Sequence, residues 1–162
     1  MSANTRVQKS VNMNSARSLA LLYYLPDEET YKKAELIISR LSEFNLKTRV
    51  ICYTDLKIVP HYFIPKITQD IITAKDINWR YQPQKPFVKE FIENEFDILI
   101  DLSLSDYLPL LYCSALSKAG LKVGRYNEGH ELFYDLMIHA EPDASIDTFA
   151  DQVIHYLSLI NN

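Results

Sequence analysis

Hydrophobic residues occur along this chain in short continuous runs, separated by longer stretches in which apolar positions recur at helical spacing. The most apolar run extends from Phe96 to Leu102 and is interrupted only by Asp97 and Asp101. A run this short, with this much Ile and Leu, is typical of a strand that is buried on both faces. We therefore expect this run to be the central strand of the fold.

Further strands are predicted around the central one, over residues 18–25, 48–53, 76–79, 121–124 and 134–139. Helices are predicted over residues 27–45, 86–94 and 145–160, and from a cap at Ser103 or Ser105 to Ala119. Strands that alternate with helices favour a mostly parallel sheet with right-handed crossovers. The sequence therefore predicts an α/β fold of the three-layer, Rossmann-like type, with helices on both faces of the sheet.

The first part of the chain differs from the rest in composition. Residues 1–15 are rich in Ser and Asn and lack hydrophobic periodicity, which predicts a flexible N-terminal tail. The tail carries Arg6 and Lys9 and no acidic residue, so it is either an ordinary frayed terminus or a docking arm for an anionic partner. Residues 16–162 are predicted to form a single Rossmann-like domain.

The junction between the first strand and the first helix excludes the usual nucleotide-binding motifs. A dinucleotide-binding unit carries G-x-G-x-x-G at this position. Here the junction contains Asp27, Glu28 and Glu29 and no glycine, and the whole chain has only 3 glycines. Negative side chains at a helix N-terminus repel a pyrophosphate. We therefore expect no NAD, FAD or P-loop nucleotide, and no other cofactor.

Overall composition narrows the choice of partners and compartment. A formal net charge of −4 disfavours nucleic-acid binding, except through the basic tail. Cys52 and Cys113 lie in different predicted elements, and the chain has no metal-ligand spacing. No apolar run reaches the length of a membrane span, so we expect no membrane contact and a cytoplasmic protein.

Candidate site residues follow the ends of the predicted strands. Ligands bind beyond the carboxyl ends of the strands in open α/β sheets. A candidate ligand rim is therefore formed by Asp101, Ser103, Ser105, Asp106, Arg125 and His139. Arg125 can bind a carboxylate or phosphate through two hydrogen bonds, but an ion pair with Asp101 would leave no free binding group.

A second candidate surface lies in the stretch between Pro60 and Pro65, which is predicted to be a loop. Its aromatic residues His61, Tyr62 and Phe63 form either a contact for a partner or the interior of a packed loop. Partner contacts are therefore predicted at this loop and at the basic residues of the tail.

Several segments of the chain resemble a known family. They are the central run with Ser103, together with Asp76–Trp79, Lys122–Gly124 and Tyr134–Ile138. They resemble a family of small uncharacterised Bacteroidota proteins, a domain of unknown function, which implies a fold and a lineage but no activity.

A fainter resemblance, over residues 97–124, is to the acceptor domain of heptosyltransferase-type glycosyltransferases. Those enzymes have two Rossmann-like domains, and the second binds the sugar nucleotide. The resemblance implies a half-enzyme that lacks donor binding.

Two functions from different classes follow from these observations. The first is a non-catalytic module that binds a protein or a larger assembly through the tail and the aromatic loop. The second is a small-molecule-binding protein or enzyme that uses Asp101, Ser103, Ser105 and Arg125. An open pocket at the strand ends favours the second, whereas a filled rim with an exposed apolar patch elsewhere favours the first.

Overall fold

The computed structural model describes residues 6–160 of the chain. Six strands form one sheet: β1 (Ser18–Tyr24), β2 (Lys47–Tyr53), β3 (Gln69–Ile72), β4 (Ile98–Asp101), β5 (Leu121–Arg125) and β6 (Leu136–Ile138). Four α-helices accompany them: α1 (Glu28–Ser42), α2 (Pro86–Glu93), α3 (Leu108–Leu116) and α4 (Ile146–Leu159). All strand pairs within the sheet are parallel, and the strand order is β3-β2-β1-β4-β5-β6.

The side chains of β1 show how the sheet is covered on both faces. Leu19, Leu21 and Tyr23 point into a core that includes residues of α1 and α4. Ala20 and Leu22 alternate with them and belong to a second core with residues of α2 and α3. The protein is therefore a three-layer α/β domain of Rossmann-like type, as the sequence predicted.

The helix starts follow local capping chemistry. The carboxylate of Asp27 accepts a hydrogen bond from the Thr30 N–H at 2.8 Å, which caps α1. Ser145 caps α4 in a capping box with Thr148. Asn45 lies just beyond α1 with a φ of 59°, a left-handed conformation that Asn tolerates better than most residues. Both predicted helix starts are thus confirmed.

One strand and one helix lie away from their predicted positions. The predicted strand at residues 76–79 is wrong, because β3 lies at Gln69–Ile72 and is followed by a 3₁₀ turn at Ala74–Asp76. Trp79 is 81% exposed, so its apolar character does not mark a buried strand. Helix α3 begins at Leu108, after the predicted cap at Ser103 or Ser105, and it ends at Leu116, before the predicted end at Ala119.

The N-terminal segment, which the sequence predicts to be a flexible tail, contacts the domain over its described residues. Residues 6–15 lie against the domain, where Arg6 pairs with Asp135 and Lys9 with Asp97. Met13 is fully buried in the core beside α4. Val11 also packs against this core, and backbone hydrogen bonds join Lys9 to Gly120 and Met13 to Leu157. Apolar contacts, backbone hydrogen bonds and two ion pairs therefore connect a segment of polar composition to the domain. The remaining part of the predicted tail, residues 1–5, lies outside the described residues.

None of the helices within residues 6–160 combines the length and the apolar character of a membrane span.

Lys122 is a buried cation in β5. Its ammonium donates a hydrogen bond to the carbonyl of Ala115 at 3.3 Å. The pKa of Lys122 is lowered to about 8, mainly because burial disfavours its charged form and also because Arg6 is nearby, while Asp135 opposes both effects. The folded protein therefore binds this proton more weakly than the unfolded chain does.

We predict that Lys122→Met removes a component of stability that rises with pH. Between a pH of about 8 and about 10.5, the unfolded chain holds a proton that folded Lys122 has released, so raising the pH favours folding. Urea unfolding at about pH 7 and about pH 9.5 measures this. The native protein should gain stability relative to Lys122→Met as the pH rises. Lys118→Met, at a partly exposed lysine, is measured in parallel as the control for a Lys-to-Met substitution. A constant difference between native protein and Lys122→Met contradicts the prediction.

Candidate functional site

Asp101, at the carboxyl end of β4, is the most buried acidic residue of the predicted rim. Its carboxylate accepts hydrogen bonds from the Tyr134 hydroxyl at 2.6 Å and the Ser103 N–H at 2.9 Å. The Ser114 hydroxyl lies at 3.5 Å. These donors satisfy a buried charge from within the protein. Asp101 therefore joins the end of β4 to the segments that carry Ser103, Ser114 and Tyr134.

Tyr134 depends on the absence of a side chain at Gly124. A Cβ added at Gly124 would lie 2.6 Å from the Tyr134 ring. Burial raises the pKa of Tyr134 well above its usual value, and the adjacent Asp101 carboxylate raises it further. The Tyr134 hydroxyl therefore stays protonated and keeps donating to Asp101. Because the aromatic ring approaches the strand so closely, position 124 has no room for a side chain larger than that of glycine.

Arg125 and Asp106 form the outer part of the rim. The Arg125 guanidinium donates to the Asp106 carboxylate at 2.9 Å, and His130 Nε2 lies 3.5 Å from the same carboxylate. The sequence left open an ion pair between Arg125 and Asp101. The structure places Arg125 on Asp106 instead, because Asp101 is already occupied below it. The one arginine of the rim is therefore engaged by a carboxylate of its own chain.

Ser105 is exposed on the loop after β4, and it lines a cavity of about 10 Å³ together with Asp101, Ser103, Asp106 and Arg125. His139 lies apart from them; it is exposed, and its Nε2 lies 3.5 Å from the Glu141 carboxylate beyond the end of β6. The structure therefore brings five of the six predicted rim residues to one small cavity and leaves His139 outside it. Among the described residues, no group of three or more His, Cys, Asp or Glu side chains can hold a metal ion.

Ser103 faces a cleft at the point where the strand order reverses, between the ends of β1 and β4. The cleft has a volume of about 280 Å³ and is lined by Tyr24, Pro26, Glu29, Thr30, Lys33, Leu102, Ser103, Leu104, Tyr107, Ser145 and Ile146. Such a reversal is where open α/β sheets place ligands. The sequence located Ser103 and the strand ends, but not Lys33 or Tyr107, which reach the cleft from helix α1 and from the cap of α3.

Aromatic residues form one wall of this cleft. The rings of Tyr24 and Tyr107 are stacked, with centroids 3.9 Å apart. The hydroxyls of Tyr24 and Tyr53 both donate to the Asp55 carboxylate. Burial, then the bond to Asp55, raises the pKa of Tyr53 to about 12. These tyrosines are therefore uncharged near neutral pH, and one carboxylate fixes two of them.

The aromatic loop between Pro60 and Pro65 is partly interior. Phe63 is buried in the core, and Tyr62 packs against the ring of Tyr31 on α1, with centroids 5.7 Å apart. Only His61 among the three predicted contact residues is exposed. The exposed apolar side chains of this region lie instead on either side of the loop's aromatic centre. The two predicted contact residues of the tail, Arg6 and Lys9, are both paired with acidic residues of the domain.

The described residues thus form a Rossmann-like α/β domain with a small cleft at its carboxyl edge. The chain belongs to the DUF6913 family, a family of unknown function, whose model matches residues 1–160. This confirms the resemblance to a domain of unknown function, while the Bacteroidota lineage stays a prediction. A search of the curated proteins finds no match.

Solved structures of one enzyme show a distant similarity. The E. coli heptosyltransferase WaaC with ADP is 13% identical with a TM-score of 0.49, and the match covers 88% of this chain and 48% of that one. WaaC with ADP-2-deoxy-2-fluoro heptose is 16% identical with a TM-score of 0.46, covering 86% and 48%. The chain therefore spans about half the length of the heptosyltransferase, and no activity follows from the likeness.

We predict that Tyr134→Phe destabilises the fold by about 1–3 kcal/mol, because it leaves a buried carboxylate without its shortest hydrogen bond. Urea unfolding measures the change. Tyr126→Phe is the matched control, since Tyr126 is half exposed and its hydroxyl makes no hydrogen bond among the described residues. The control should change stability by less than about 0.5 kcal/mol. Equal effects of the two substitutions would show that Asp101 does not depend on Tyr134.

Proposed function

We propose that this protein is a non-catalytic binding module of the cytoplasm that docks a protein partner beside strand β3. The observation that carries this proposal is a group of exposed aliphatic side chains flanking the aromatic loop. We call it the β3-edge surface; it consists of Leu56, Ile58, Val59, Ile64 and Ile67. Aliphatic side chains concentrated in this way mark interaction sites more often than isolated ones do.

The exposure of the β3-edge surface is high for branched aliphatic residues. Ile67 is 96% exposed and Ile58 is 70% exposed. Both lie within a stretch of 12 residues, 56–67, that leads from the end of β2 to the outer strand β3. Burying such side chains against a partner gains roughly 25 cal/mol per Å² of apolar area. The surface therefore supplies a driving force for association that the isolated domain leaves unused.

Lysines around this surface indicate the chemistry of the partner. A groove of about 440 Å³ beside β3 is lined by Ile58, Val59 and four lysines, namely Lys57, Lys66, Lys75 and Lys85. Lys66 pairs with Glu35 and Lys85 with Asp76, but Lys57 and Lys75 make no ion pair within the described residues. A local excess of positive charge favours a partner segment that combines aliphatic and acidic side chains.

The state of the rim supports a non-catalytic role. Asp101 is saturated by internal donors, and Arg125 is bound to Asp106. A catalytic or ligand-binding group at this position needs a free polar atom that faces the solvent or a substrate. The alternative is a small-molecule-binding protein or enzyme that uses Asp101, Ser103, Ser105 and Arg125. Its charged groups are already engaged within the chain, and it retains the Ser103 hydroxyl and the Arg125 Nε as polar atoms without a hydrogen bond in the described structure. Arg6 and Lys9 contribute little to the proposal, because their charges are already paired.

We predict that Ile67→Asp abolishes partner binding without unfolding the protein. A carboxylate within an apolar contact should reduce recovery of the partner by about tenfold or more. Pull-down of the full chain from its native cell extract, read by quantitative mass spectrometry, measures recovery. The matched control is Leu132→Asp, because Leu132 is 93% exposed and lies before β6, at the opposite edge of the sheet.

The result is informative in both directions. A partner that is lost with Ile67→Asp and retained with Leu132→Asp, at unchanged melting temperatures, supports docking at the β3-edge surface. Equal recovery with both variants, or no stoichiometric partner with native protein, would overturn it. A second experiment changes the lysines. The double substitution Lys57→Glu and Lys75→Glu should weaken the binding of an acidic partner and should leave the salt-insensitive part of the binding unchanged.

A further inference from the structure

The cleft between the ends of β1 and β4 lies apart from the β3-edge surface and shares none of its residues. It opens where the chain leaves β1 toward β2 on one side and leaves β4 toward β5 on the other. The two connections diverge there, so a depression forms between them. Its third side is closed by the beginning of α4, at Ser145 and Ile146.

Ser103 supplies a polar group in the cleft that no other described residue uses. The residue is only 8% exposed, and its hydroxyl oxygen has no hydrogen-bond partner. The Ser103 N–H is already bound to Asp101, so only the side chain is free. Buried polar atoms are almost always paired, so an unpaired hydroxyl on a residue that lines a cleft is available to a bound molecule. The hydroxyl can either donate or accept a hydrogen bond.

The remaining wall of the cleft is largely apolar and aromatic. Buried Leu102 and Ile146 lie beside Ser103, and the stacked rings of Tyr24 and Tyr107 form a flat side. Flat aromatic walls favour planar ligands, because offset stacking and edge contacts require ring geometry. A volume of about 280 Å³ holds a single small ring system and is too small for a dinucleotide.

The charges at the mouth of the cleft select against anions. Lys33 lies 3.6 Å from the Glu29 carboxylate and 3.7 Å from that of Asp147. Two acidic residues therefore balance the one cation of the cleft. The first turn of α1 also has its own carboxylate cap, Asp27, where a phosphate or carboxylate ligand would otherwise bind. An uncharged ligand avoids these carboxylates and retains the contacts with Ser103 and the tyrosines.

We propose that this cleft binds a small uncharged aromatic molecule with a hydrogen-bonding edge, in contact with Tyr24 and Tyr107 and hydrogen-bonded to the Ser103 hydroxyl. The inference is independent of docking at the β3-edge surface, so either can fail without the other. It also differs from a site on Asp101 and Arg125, since neither residue lines this cleft.

Three related probes test the proposed chemistry by NMR titration of the ¹⁵N-labelled full chain. Benzamide has an uncharged ring and an amide edge. Benzoate replaces the amide by a carboxylate, and cyclohexanecarboxamide replaces the planar ring by a saturated one. Benzamide should give saturable shifts at amides around Ser103, Tyr107 and Ile146, with an affinity at least about fivefold higher than either of the other probes.

Three substitutions test the location. Ser103→Ala removes the free hydroxyl without breaking any bond within the described residues, and should weaken benzamide by roughly fivefold. Thr30→Trp fills the cleft from the first turn of α1 and should abolish the shifts. Ser105→Ala is the matched control, because Ser105 belongs to the same loop but is exposed outside this cleft, and should leave affinity unchanged.

Several results would overturn the inference. These are no saturable shifts with benzamide, equal binding of benzoate or of cyclohexanecarboxamide, or equal affinity in native protein, Ser103→Ala and Thr30→Trp. Each variant is first checked for native amide dispersion. If Thr30→Trp does not fold, Leu104→Trp fills the same cleft from the loop after β4 and replaces it.

Discussion

The structure depends on the burial of both faces of the neighbouring strands β1 and β4. Leu21 and Ile100 are register partners between these strands and are both inaccessible to solvent. A strand without a solvent-facing side needs a layer of helices above and below, and parallel neighbours need long crossover connections, such as α1 between β1 and β2 and α3 between β4 and β5. This requirement places the carboxyl ends of all six strands at one edge of the described sheet. The cleft, the rim and the side chains of Tyr24, Tyr53 and Tyr107 all lie there as a consequence.

Polar groups at that edge are mostly used to complete the fold. The buried Asp101 carboxylate needs hydrogen-bond donors, and the Tyr134 hydroxyl reaches it because Gly124 leaves room for the tyrosine ring. Because Asp101 has these donors, Arg125 pairs instead with the exposed Asp106. The amino edge is closed in the same manner, where Asp97 accepts from the backbone of β1 and from Lys9. Carboxylates thus join separate segments at both edges.

Two sets of groups that the fold leaves unused carry the proposals. Beside β3 they are exposed aliphatic side chains and two lysines that make no ion pair within residues 6–160, which suit a macromolecular contact. In the cleft the unused group is one hydroxyl among aromatic and aliphatic walls, which suits a small ligand. The two surfaces share no residue.

The sequence by itself determined the layered α/β class, the central strand and the capped starts of α1 and α4. These features depend on local periodicity and on short-range hydrogen bonds, both of which are visible in a single chain. Tertiary structure alone decided that residues 6–15 are anchored by Met13, that Arg125 binds Asp106, and that β3 lies at Gln69–Ile72. Each of these depends on groups far apart in sequence. Pairing and burial at such distances are set by packing, which no local pattern encodes.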